Sequence, residues 1–152
     1  MSSLKLEYSR GDVLAGKYEV VDHLEESPLG LTYRAKHIKS GKYVRLTLLR
    51  PKIAGADQKD AVIAAFKKAK DLGHANIIKV GELGDHEGVA YYTMEDFEGG
   101  TLRELLQEYK VNGQQFHIRE AGQVAIQILE ALQAAHEAGV IVRALRPEYV
   151  LI

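Results

Sequence analysis

Apolar residues recur at every second position in runs up to Asp96 and at every third or fourth position beyond Gly100, and no single element type accommodates both periods. A sheet-rich segment must therefore precede a helical one. Tyr18, Val20 and Leu24 lie on one side of a first alternating run. Leu31 to Ile38 forms a second, closed by a Ser40-Gly41 turn, and Lys42 to Leu49, rich in branched residues, forms a third. Ile77 to Leu83 and Val89 to Met94 flank Gly84-Asp85-His86-Glu87-Gly88 and predict a hairpin. One helical interruption runs from Asp57 to Asp71, with Val62, Phe66 and Ala69 along a stripe. After Glu98-Gly99-Gly100, Thr101 and Glu104 have capping-box spacing, and Leu102, Leu105, Leu106 and Tyr109 follow the helical period. A longer helix is predicted from Ile118 to Ala138, stopped by Gly139. Its polar stripe of Gln123, Gln127, Glu130 and Glu137 is narrow, leaving Val124, Ile128, Leu129 and Leu132 on a broad apolar surface.

The chain of 152 residues is of single-domain size, and 46% hydrophobic with 27% charged residues is ordinary for a soluble globular protein. A formal net charge of -1 provides no global field for nucleic acid or an anionic membrane, so neither is expected as a partner. Cysteine is absent, which removes any disulfide framework and suits a cytoplasmic protein. No stretch reaches the roughly 18 apolar residues that would span a bilayer. The histidines His23, His37, His74, His86, His117 and His136 show no i,i+4 pairing, so no metal site is expected.

Chemistry concentrates in a series of short motifs. The chain ends in Val142-Arg143-Ala144-Leu145-Arg146-Pro147-Glu148-Tyr149-Val150-Leu151-Ile152. Upstream stand Gly30 before Tyr33-Arg34-Ala35, Val44 and Leu46, His74-Ala75-Asn76-Ile77-Ile78, Met94-Glu95, Gly99-Gly100-Thr101-Leu102, and Ala135-His136-Glu137-Ala138-Gly139. In this order they resemble the scaffold of bacterial Ser/Thr protein kinases, whose catalytic loop reads H-R-D-L-K-P-E-N. The resemblance covers the chain from about residue 11 onward and implies an α+β fold. A kinase-like small lobe, a five-stranded antiparallel sheet plus one helix, would occupy 11–96 after a lead-in at 1–10. The first helices of the large lobe and the loop remnant would occupy 97–152.

The same resemblance marks where the family's working groups would stand. Ala144 replaces the catalytic aspartate, Tyr149 the metal-binding asparagine and Val142 the loop histidine. Thr47 stands for the lysine of the third strand, and the glutamate that would pair with it falls at or near Ala65. A methyl accepts no proton, a neutral phenol is a poor magnesium ligand, and threonine is too short and neutral to pair with phosphate. Of three loop glycines only Gly30 remains, in Leu24-Glu25-Glu26-Ser27-Pro28-Leu29-Gly30, which reads equally as a charged hairpin turn. Arg45 puts a guanidinium where the adenine would stack, either filling the site, reaching Glu95 or Asp96, or snorkelling to solvent. The vestigial nucleotide cleft would comprise Leu24, Gly30, Arg45, Thr47, Met94, Glu95 and Phe97.

The expectation from these positions is a pseudokinase: no enzyme, no cofactor, and a regulatory or scaffold role through another protein. The alternatives are a non-hydrolysing nucleotide switch, which would need a basic group such as Arg34 or Lys36 for phosphate, and a residual kinase. Candidate contact residues are Lys67, Lys68 and Lys70 on the first helix and Val124, Ile128 and Leu132 on the long one. A homodimer through the long helix or the terminal strand is expected, because twofold association is the simplest way for one chain to cover an apolar patch; the alternative is truncation, in which the patch marks helices of a longer parent.

Overall fold

A computed structural model describes residues 7–50, 56–142 and 145–152, with the backbone alone of 56–62. The chain divides into two compact units: residues up to Asp71 with Ile78–Asp96, and Leu72–Ile77 with Phe97–Ile152.

In the first unit β1 (Val13–Leu14), β2 (Tyr18–Glu26), β3 (Gly30–His37), β4 (Tyr43–Leu49), β5 (Val80–His86) and β6 (Val89–Glu95) form one sheet in the order β1-β2-β3-β4-β6-β5. Every pairing is antiparallel. Helix α1 (Ala56–Lys70) connects β4 to β5. The α+β small-lobe expectation holds, with six strands among the described residues rather than five. The additional strand is β1, too short to show a period. Leu14, with no exposed surface, anchors it opposite Tyr18, and Ala15 turns the chain at a φ of 51°.

Two other boundaries move. The strand expected from Ile77 begins at Val80, because Ile77 donates its N–H to His74 O in a turn that belongs to the second unit. The hairpin expected to need a five-residue loop closes over Glu87-Gly88 alone, both at positive φ (52° and 84°), as a type I′ turn requires. Glutamate at the first position hides that turn from a search for Asn-Gly or Asp-Gly. The α1 expectation of Asp57 to Asp71 is met within one residue; Val62 lies outside the described side chains.

One face of the sheet carries the core: Leu31, Tyr33 and Ala35 of β3, Leu46 and Leu48 of β4, Val89 and Tyr91 of β6, with Leu14, Tyr18 and Val20. Their alternation with polar neighbours is the period read from the sequence. β2 and β5 are separated by three strands in the sheet order, yet the sheet curls until Glu82 of β5 meets β2. Its carboxylate accepts from Lys17 Nζ at 2.5 Å, Tyr18 OH at 2.9 Å and Tyr91 OH at 3.2 Å. Nearby, Ala15 N donates to His86 Nδ1 at 3.1 Å.

The second unit holds α2 (Leu102–Val111) and α3 (Ile118–Glu137). The capping box is formed as expected: Glu104 N donates to Thr101 Oγ1 at 3.2 Å and Thr101 N to Glu104 Oε2 at 2.6 Å. The terminal segment pairs with the start of α2 through Leu102 N to Val150 O and Ile152 N to Gly100 O. Asn76 Nδ2 donates to Gln127 O and Glu130 Oε2, fixing Leu72–Ile77 against α3.

Burial raises the Glu82 pKa, but hydrogen bonds from Lys17 and Tyr18 and the lysine charge outweigh it and hold the carboxyl below its ordinary value. A depressed folded-state pKa gives stability that is complete above the unfolded value and lost as pH falls through the folded one. Glu82→Gln should therefore cost about 1–3 kcal/mol in urea unfolding at neutral pH. The difference from the native chain should shrink below about pH 4. A difference that stays constant from neutral to acid pH would contradict the role of the charged form.

Candidate functional site

The outer face of β3, β4 and β6 is built in two rows by the strand register. Thr32 lies opposite Thr47 and Thr47 opposite Tyr92, while Arg34 lies opposite Arg45 and Arg45 opposite Met94. Alternation along β4 sets Arg45 and Thr47 on one face and Val44, Leu46 and Leu48 on the other, and the register agrees.

The first row is a chain of hydroxyls. Thr32 Oγ1 and Thr47 Oγ1 are 3.0 Å apart, and Thr47, 2% exposed, also hydrogen-bonds Tyr92. Burial pushes the Tyr92 phenol up, and the Thr47 hydrogen bond partly offsets the shift. Phe66 of α1 packs on the Tyr92 ring with centroids 5.7 Å apart. Thr47 thus sits where the resemblance puts a lysine, and its polar atom is satisfied by neighbouring hydroxyls.

In the second row one carboxylate faces two cations. Asp96 Oδ2 accepts from Arg34 Nε, and Asp96 Oδ1 lies 3.6 Å from Arg45 Nε. Of the three roles open to Arg45, the structure selects pairing with Asp96. Burial lowers its pKa, and the Asp96 charge works against that. Glu95 takes another course: its Oε1 accepts from Lys79 N at 2.8 Å. Arg34 is engaged with Asp96, and Lys36 is exposed.

At the β2–β3 hairpin, Ser27 N donates to Gly30 O and Gly30 N to Ser27 O. Arg50 holds the tip through its N–H to Leu29 O, its Nε to Ser27 O at 3.3 Å and an ion pair with Glu26. A side chain at Gly30 would place Cβ 1.9 Å from Leu48 O, so this glycine is required by the close approach of β3 and β4. Leu24 is 39% exposed on β2.

The remaining positions lie apart. Ala65 is exposed on α1, as are Lys67, Lys68 and Lys70 in its last turn, where positive charge favours the helix C-terminus. Phe97 belongs to the second unit, half-buried. Val142 is exposed, and Tyr149 stands 67% exposed in the 3₁₀ turn Pro147–Tyr149. Ala144 lies outside the described residues. On α3, Val124, Ile128 and Leu132 are half-buried, whereas Ile118, Ile126 and Leu129 are exposed. Among the described residues no three His, Asp or Glu side chains cluster as metal ligands. Thr32 and Tyr92 escaped sequence reasoning; the only signal for them was the β3–β4–β6 register, which the sequence does not print.

Comparison with known proteins places this face in context. The profile described as the protein kinase domain matches residues 18–152. The chain belongs to the protein kinase family. It is 25% identical over 93% of its length to a probable serine/threonine-protein kinase of Clostridium perfringens, of which it covers 20%. It is 28% identical to the serine/threonine-protein kinase PrkC of Bacillus subtilis and 32% identical to pkn3 of Myxococcus xanthus, covering 22% and 26% of them. The chain thus spans about a quarter or less of the length of these relatives. The PknI kinase domain of Mycobacterium tuberculosis shares the fold, with a TM-score of 0.84 at 23% identity over 95% of this chain and 57% of that one.

These relatives correct one expectation. The substituted positions Thr47, Ala65, Val142, Ala144 and Tyr149 argued against an enzyme, but the matching relatives are named serine/threonine-protein kinases, and that expectation does not stand. The physical reason is one of scope. Phosphoryl transfer is mostly positioning and electrostatic stabilisation contributed by many groups. A tally of single positions within part of a kinase's length does not decide it.

Gly30 separates a packing role from a phosphate role. Gly30→Ala should destabilise the fold by about 1–3 kcal/mol in chemical unfolding without any nucleotide, since the colliding atom is a backbone oxygen that cannot swing away. An unchanged unfolding midpoint would show that the β3–β4 approach does not need glycine.

Proposed function

We propose that the chain is a regulatory module of a bacterial serine/threonine-kinase-type signalling protein in the cytoplasm, acting through contacts with another protein. The observation that carries this reading is the division of labour on α3. Val124, Ile128, Leu132 and Ala135 turn inward, and Ile126 and Leu129 remain 57% and 63% exposed on the same helix. Exposed aliphatics of this size forgo roughly 1.5–3 kcal/mol each of burial, so a surface that keeps them gains by being covered. The self-filled face of β3, β4 and β6 supports the same reading. Its hydroxyl row and its Arg34–Asp96–Arg45 row are bound to one another, and no cation in either row is directed to a phosphate by the contacts that hold it. Among the described residues no helix is long and apolar enough to cross a membrane.

The contact proposed is a second copy of the chain, joined through α3. Sedimentation velocity at micromolar concentration should show a dimer, and Leu129→Glu should convert it to a monomer. A native chain that sediments as a monomer and is unaffected by Leu129→Glu would remove α3 as the contact surface.

A further inference from the structure

Like charges directly opposite on neighbouring strands repel, and Arg34 and Arg45 are such a pair. One carboxylate offsets both. Asp96 Oδ2 lies 2.7 Å from Arg34 Nε and 2.7 Å from Arg34 Nη2, and its Oδ1 lies 3.6 Å from Arg45 Nε. The Arg34 guanidinium is also held by Tyr43, whose ring centroid is 4.8 Å from the guanidinium carbon. The two cations therefore stand on paired strands, one of them fixed by a ring, independently of the anion. The anion arrives from elsewhere, on the residue that follows β6. Its side chain is 11% exposed, against 22% for Arg45 and 38% for Arg34, so the charges meet in a half-dry setting where they are weakly screened. The Glu25 charge also acts on Arg45, and Asp96 is the carboxylate that lies against both guanidiniums.

We propose that Arg34 and Arg45 form an oxyanion site, fit for a carboxylate or phosphate group, which the chain fills with its own Asp96. Asp96 is then a tethered competitor. Tethering gives it a high effective concentration, so a free anion of modest affinity does not displace it, and the site opens only when Asp96 is drawn away. Guanidinium groups suit both ligand classes because their donors match carboxylate and phosphate oxygens.

The test is the melting temperature of Asp96→Asn, titrated separately with inorganic phosphate and with acetate at constant ionic strength. The native chain should not respond to either. Asp96→Asn should rise by about 3–6 °C at an anion concentration ten times its dissociation constant, for a domain of this size. A response to acetate alone would assign the site to carboxylates, and a response to phosphate to phosphate-bearing ligands. The response should vanish in Asp96→Asn/Arg45→Met, where the second guanidinium is gone. An Asp96→Asn chain that melts alike in both anions and in chloride would overturn the proposal. If Asp96→Asn does not fold, the double variant, relieved of the repulsion, should fold. Its failure would show that Asp96 serves something other than two cations, which also overturns the proposal.

Discussion

Glu82 is the contact on which the small sheet depends. A six-stranded antiparallel sheet with β2 near one edge and β5 at the other has no hydrogen-bonding ladder between those strands. The curl that brings them together is secured by side chains, with the Glu82 carboxylate accepting from Lys17, Tyr18 and Tyr91. Sheets twist and coil on their own, but a twist alone leaves the amount of curl open. Three donors converging on one half-exposed carboxylate define it. The Tyr18 phenol is pushed up to about 12 by burial and by its bond to Glu82, so it stays protonated and remains a donor across the physiological range. The curl makes the inner face concave enough for Leu14, Tyr33, Leu46 and Leu48 to meet in one core.

The outer face follows from the same register. Once Leu31, Tyr33 and Ala35 face inward, Thr32 and Arg34 must face outward, and antiparallel pairing sets Thr47 and Arg45 beside them. Two like-charged arginines and two hydroxyls then become neighbours whether or not the pairing is favourable. The fold answers with Asp96 for the cations and with Tyr92 for the hydroxyls. The chain belongs to the protein kinase family, and on this face its arginines and hydroxyls are held by its own groups.

How much of this was legible in the sequence depended on the range of the interaction. Local signals read well: the Thr101–Glu104 capping box, the α1 span, and the stop at Gly139 each involve residues a few positions apart. The alternation of Val44, Arg45, Leu46, Thr47 and Leu48 gave both faces correctly. What escaped was register and closure. Nothing in the string places Glu82 beside Tyr18, 64 positions away, or Thr32 beside Thr47. β1 was missed because two residues show no period, and the Glu87-Gly88 turn because glutamate seldom occupies a left-handed position. The broad apolar surface of α3 was visible, but which of its residues face out was not, since a helix surface wider than one stripe does not orient itself.

The outer face of β3, β4 and β6 is complete as it stands, its hydroxyls and guanidiniums engaged by the chain's own groups. The direct measurement is the backbone amide spectrum of the labelled chain titrated with magnesium ATP to millimolar concentration. The amides of Thr32, Arg34, Arg45 and Thr47 should not shift. A saturable shift confined to those residues would contradict that completeness.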